Sequence, residues 1–388
     1  MSEPVTSIDA RGRALTTRFL DFWLLGGASI LVWFVMFTLQ SFRSSWAVDQ
    51  HFKNLTVTTA TLSLLVNYPH FLVSYKLAYS RGRQFVLGHA WQLVAVPLLL
   101  VGLFALAYAG FDRPAASAPG VTGLSRLLAW LGGNARVVEG PRLGDVLFTA
   151  AFNLMLFTVG WHYTKQVFGC VMVYAHFDGY VLDGRQRSTI KWALMSVWWL
   201  TFAETNRAGS RFSFSEFTYY AFDLPDWLVP LTEAAVYGGF IAVVWTVFWK
   251  NYRERRAIPS LNMIVPFVAL YLWWLPRTRQ PEFYLLLTPL FHSLQYLTFV
   301  YRMEQRRLET GPRVELRATV LVVALVTAGW LAFELIPNSL DVQLATYGSW
   351  LMFFFFTAEL LFINIHHYFI DNVLWRFRDQ DVQRYLLK

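Results

Sequence analysis

Residues 19 to 39 read FLDFWLLGGASILVWFVMFTL, 21 residues with one charge, Asp21. About 20 mostly apolar residues, coiled as a helix, cross the roughly 30 Å hydrocarbon core of a bilayer. The stretch follows Arg11, Arg13 and Arg18 and lacks a small-residue cleavage site, so it reads as a retained anchor and not a removable signal.

Nine further stretches of the same kind follow, at 55–78, 87–110, 145–167, 189–204, 227–249, 260–275, 283–301, 318–336 and 348–371. The whole chain agrees with them: of 388 residues, 56% are hydrophobic and only 15% charged, too apolar for a water-soluble protein of this length. No repeat of fixed period and no Pro, Gly or Ser-rich linker divides it. The fold class expected is therefore all-α, a polytopic transmembrane helical bundle of about ten spans forming one domain over 1–388.

Lysine and arginine orient such a bundle, because cytoplasmic loops carry their excess. With the N-terminus inside, 23 of the 33 fall on the inner side and 10 outside, which places both termini in the cytoplasm. The net charge of +8 then reflects topology and attraction to anionic headgroups of membrane lipids, and makes no case for nucleic acid as a partner. Two long outer connections are expected at the membrane surface. One is 111–144, with a short interfacial helix at "LSRLLAWL" (124–131); the other is the aromatic-rich 206–226, a headgroup anchor or a lid.

Some chemistries lack residues. Cys170 is the only cysteine, so one chain forms no disulfide and no thiolate cluster. There is no GxSxG elbow, no Gly-rich phosphate loop and no HExxH.

What remains is histidine. Of the eight, His51 falls outside, while His70, His89, His162, His176, His292, His366 and His367 fall toward the inner side. "NYPHFLVSYK" places Pro69 before His70, where a freed backbone carbonyl kinks a helix and opens room for a ligand. "GWHYTKQVFG" and "LFHSLQYLTFVYR" set Tyr163 beside His162 and Tyr296 four residues after His292, natural hydrogen-bonding neighbours for imidazole. In "NIHHYFIDNVLWR" the adjacent rings of His366 and His367 point about 100° apart on a helix, so one ring can ligate while the other bonds Asp371, or each can serve a separate ion. Glu359 lies seven residues before His366, on the same face.

Ionisable groups inside a span are costly and mark function by default. Their convergence points to a metal site with His70, His162, His292, His366 and His367 as first ligands and His89, His176 and Glu359 as second ones. Imidazole with carboxylate suits iron, zinc, copper or manganese.

This histidine-rich, thiolate-free set resembles the membrane di-iron oxygenases: fatty-acid desaturases, hydroxylases and alkane monooxygenases. That family spaces its ligands as HxxxH and HxxHH, whereas here "HYTKQVFGCVMVYAH" leaves thirteen residues between histidines and "IHHYFID" stands bare. The resemblance implies an iron-dependent oxidoreductase, iron or di-iron, with a cytoplasmic electron donor and a lipid-soluble substrate such as a lipid, hydrocarbon or isoprenoid. The motifs "NYPH", "HxxQY" and "HHYFIDNVLWR" are also similar to uncharacterised bacterial polytopic proteins, which implies a multi-pass protein of the bacterial inner membrane. Two other classes use buried histidines: a haem or quinol-binding protein with facing axial pairs, and a transporter, for which Glu204, Glu233 and Glu334 would be proton-relay groups.

Overall fold

The structure is a computed structural model in which residues 13–41, 48–114, 142–207, 211–214, 217–275, 287–308, 314–344 and 353–387 are described. The interfacial helix expected at 124–131 lies outside them.

In its described residues each of the ten apolar stretches falls on a helix: α1 (Arg18–Thr38), α2 (Val48–Tyr79), α3 (Trp91–Gly110), α4 (Leu143–Phe177), α5 (Gly184–Thr205), α6 (Leu228–Arg255), α7 (Leu261–Trp274), α8 (Thr288–Leu308), α9 (Thr319–Leu344) and α10 (Phe354–Leu374). Helices satisfy every backbone group within the segment, which lipid demands. Five of them, α1, α3, α4, α6 and α9, are long and apolar enough to cross a membrane, and the protein is membrane-associated on that ground. The others are shorter or more polar, and three of those, α2, α8 and α10, carry histidines.

α4 runs ten residues beyond the expected end at 167, because Cys170, Val171 and Tyr174 are buried in the core and keep the helix packed. It lies against α5, α7 and α10, while α2 lies against α8, α9 and α10. α10 thus bridges the two halves. Where α4 meets α5, Gly160 permits the close approach: a Cβ there would fall 2.3 Å from Trp198 Cδ1.

The aromatic 206–226 stretch is partly a hairpin, β1 (Arg211–Phe214) antiparallel to β2 (Phe217–Tyr220), with Phe214 opposite Phe217. It packs on α4: Phe217 stacks on Phe148 at 3.9 Å, and the Tyr219 hydroxyl is 2.9 Å from Asn153 Oδ1.

The first and last described segments are tied to the bundle. Asp21 accepts hydrogen bonds from the backbone N–H of Leu15 (2.7 Å) and Thr16 (3.0 Å) and from the Tyr174 hydroxyl on α4. After α10 the chain turns back: Arg81 pairs with Asp379 at 2.7 Å, Arg307 with Asp381 at 2.9 Å, and the buried Arg302 donates to the carbonyls of Leu386 and Ala14.

Candidate metal centre

His70 on α2, His162 on α4, His292 on α8 and His367 on α10 each offer a nitrogen to one point, and those nitrogens all lie within 4.8 Å of one another. All four side chains are buried. Ligands about 2.1 Å from a common ion sit roughly 3.0 Å apart at right angles and roughly 4.2 Å apart across it. The observed spread, with His162 Nε2 and His292 Nε2 at 3.0 Å, is close to that pattern.

Two of the rings are held from behind. Ser293 Oγ lies 2.8 Å from His70 Nδ1, and Ser74 Oγ lies 2.9 Å from His367 Nδ1. Fixing Nδ1 leaves Nε2 to face the cluster, and the Nε2 atoms of His70 and His367 are buried with no hydrogen-bond partner. Tyr163 stacks on the His292 ring at 4.0 Å.

Asp371 completes the group. Its Oδ2 lies 3.5 Å from His162 Nε2 and 3.3 Å from His367 Nε2, while its Oδ1 accepts from the Tyr296 hydroxyl at 2.9 Å. Oδ2 itself is buried and unpartnered. An unpaired buried polar atom costs about 1–3 kcal/mol, so three such atoms turned toward one point form a site that a cation relieves. Four imidazoles and a carboxylate are a donor set for a divalent transition metal.

An amide relay fixes the helices around this point. The Gln166 amide nitrogen is held twice: Nε2 donates to the His292 carbonyl (2.9 Å) and to Gln295 Oε1 (3.1 Å), and Gln295 in turn donates to the Leu25 carbonyl in the π-helical turn Trp23–Gly27. α4, α8 and α1 are locked in register next to the ligands.

Other expected site residues fall elsewhere. His366 is buried one position away from the cluster, with Nδ1 2.6 Å from the Tyr75 hydroxyl, and is not among the converging four. His89 sits in the turn before α3, its Nδ1 3.0 Å from the Phe85 carbonyl. His176 is exposed near the end of α4 and lines a separate cavity of about 480 Å³. Glu359 is partly buried two turns up α10 from His366, and the carboxylate at the cluster is Asp371 instead. Glu334 accepts from the Tyr68 hydroxyl and from Asn338, in a contact between α2 and α9.

Asp371 had a legible signal: it is four residues after His367, hence on the same helical face. Ser74 and Ser293 had none, since each supports a histidine on a different helix. A cavity of about 470 Å³ opens against the cluster, reaching His162, Asp371 and Tyr296. Comparison with protein-family models, curated proteins and solved structures finds no match for this chain.

Proposed function

We propose that the protein is a multi-pass membrane metalloenzyme of oxidoreductase type, with ten spans and cytoplasmic termini in a bacterial inner membrane. The observation that carries this is the set of four buried histidine nitrogens within 4.8 Å, closed by Asp371. The spread suits one ion, since a pair of ions stands about 3.5–4 Å apart and needs a second set of ligands. It argues against haem, whose ring fills the plane around the iron and leaves protein ligands only above and below.

Iron is the metal favoured by the resemblance and by nitrogen and oxygen donors with no thiolate. His70, His162, His292, His367 and Asp371 would hold the ion, and the cavity beside His162 and Asp371 is where an oxidant or substrate would reach it. Bound there, iron supplies one-electron and dioxygen chemistry, with electrons from a cytoplasmic donor. The chain's own part is to hold the ligands, to keep the Tyr296 hydroxyl on Asp371 Oδ1 and to exclude bulk water from the buried side of the cluster. A lipid, hydrocarbon or isoprenoid is the substrate class that an apolar cavity in a membrane bundle admits.

Metal analysis of the detergent-purified full chain tests the reading. About one iron per chain in wild type, lost in His292→Ala and retained in His89→Ala and His176→Ala, is the expected result. Less than about 0.3 of any transition metal per chain would overturn it.

A further inference from the structure

The cavity beside the cluster has three kinds of wall. Trp161, Phe168, Met195, Phe299 and Trp375 are among its apolar residues, His162 and Asp371 mark the end next to the cluster, and Lys165, Lys191 and Arg376 are exposed cations lining the same space. No carboxylate closes an ion pair with any of them among the described residues, and Asp371 attracts Lys165 only from beyond ion-pair distance. Lys165 Nζ donates to the neutral Asn372 Oδ1 at 2.7 Å, Arg376 Nε donates to the Asn372 carbonyl at 3.1 Å, and the Lys191 ammonium stands 5.5 Å from the neighbouring Trp192 ring. Among the described residues none of the three forms an ion pair, and Asp371, the only carboxylate lining the cavity, belongs to the cluster.

Some cations elsewhere on the protein are paired. Arg81, Arg307 and Lys76 all reach carboxylates of Asp379, Asp381 or Glu304. Three cations without an ion pair among the described residues thus line one largely apolar cavity. Lys165 follows His162 by three residues, about 4.5 Å along α4, so the charge sits near the cluster and not at a remote surface.

We propose that this cavity binds a single-chain amphiphile with an anionic head, a carboxylate or a phosphate, its head on Lys165, Lys191 and Arg376 and its chain along the aromatic wall. That the ligand is a substrate rests on the metalloenzyme reading; that it is anionic and single-chained rests on the cavity alone. A neutral hydrocarbon leaves the three cations facing an apolar ligand, whereas a carboxylate or phosphate gives them charge-assisted hydrogen bonds. About 470 Å³ is within the range that encloses a small-molecule ligand and is small for a two-chain lipid.

The test is scintillation-proximity binding of radiolabelled oleate to the full chain in phosphatidylcholine nanodiscs, with iron measured on the same samples. Unlabelled oleate or oleyl phosphate should displace the label, and oleyl alcohol should need at least about tenfold more, the worth of one charged hydrogen bond. The Lys165→Gln/Arg376→Gln double variant should bind oleate about tenfold more weakly at unchanged iron content. Equal competition by the alcohol would overturn the proposal, and that comparison needs no variant. So would an unchanged double variant, or loss of oleate binding in discs containing phosphatidylglycerol, which would mark an ordinary bilayer-lipid site. Selective oleate binding by a metal-free wild type would support the anionic site while the metalloenzyme reading failed. A metal-loaded protein indifferent to the head group would do the reverse.

Discussion

α6 and α9 differ from α8 and α10 in what they bury. Of the most apolar window in each of α6 and α9, 11% is buried inside the bundle. They present Ile241, Trp245, Val320 and Val322 outward, as side chains facing lipid tails can. α8 and α10 instead bury His292, Ser293, Gln295, His367 and Asp371, polar groups that are tolerable only because other helices answer them. The helices that announce a membrane most clearly contribute nothing to the cluster, and α4 alone does both. Hydropathy therefore locates the rim of this protein, while its centre is written in side chains that lower the hydropathy of their own helices.

The comparison breaks most visibly at the centre. His367→Ala removes a ligand, and metal affinity should fall by more than about 100-fold, beyond what loss of an outer-shell partner does. His366→Ala, one residue away but against Tyr75, should retain the metal. Equal loss in the two variants, measured by metal content after dialysis against a chelator, would mean that both rings of the pair ligate.

Within the rim, α6 offers an internal control. Val243 is fully buried, whereas Ile241 two residues earlier is 66% exposed. Val243→Ala should destabilise the detergent-solubilised protein by about 2 kcal/mol through the cavity it leaves. Ile241→Ala should stay within about 0.5 kcal/mol, since its side chain faces solvent or lipid in either case. Similar melting shifts for both would show that the outer face of α6 is packed against something.

The serines give a subtler contrast. Ser74→Ala leaves every ligand in place but frees the Nδ1 side of His367, and about tenfold weaker metal binding is expected, with stability little changed. Ser74→Thr, which keeps the hydroxyl, should recover most of it. An alanine variant that binds metal as wild type does would reduce Ser74 to packing.

How far the sequence reaches can be stated from the same residues. In its described residues every apolar stretch lies on a helix, and the sequence places seven histidines toward the inner side, because depth follows from position along a helix of known rise. Four of those seven meet. What depth cannot supply is rotation: the 100° between His366 and His367 decides which ring joins, and it is fixed by α2 packing against α10. The choice between the two carboxylates turns on rotation as well. Glu359 shares a face with His366, which stays outside the converging four, whereas Asp371 shares a face with His367, which joins them. α4 outruns the apolar stretch that ends at 167, where Lys165 and Gln166 line the cavity and His176 sits near the helix end.

The smallest effect lies at the border between rim and centre, where the segment after α10 folds back beside the cavity through Phe377, Val382 and Leu386. Burial alone raises the Asp379 carboxyl, but the Arg81 guanidinium at 2.7 Å and the backbone N–H of Asp381 at 2.9 Å outweigh it and hold the group below the ordinary aspartate value. A carboxyl depressed in the folded state contributes stability that is fully present above its unfolded value, about 3.9, and is lost as pH falls through the folded one. The pair is partly exposed, so the contribution is below about 1 kcal/mol. Hydrogen exchange over residues 376–387 should therefore speed up modestly below about pH 4, and Arg81→Gln should show the faster exchange already at neutral pH. Asp381, held by Arg307 at 2.9 Å, keeps part of the segment in place in that variant, which is why partial loosening is expected and not release. Exchange rates that follow only the intrinsic pH dependence of the amide, in wild type and variant alike, would show that the apolar contacts of Val382 and Leu386 hold this segment without help from its charges.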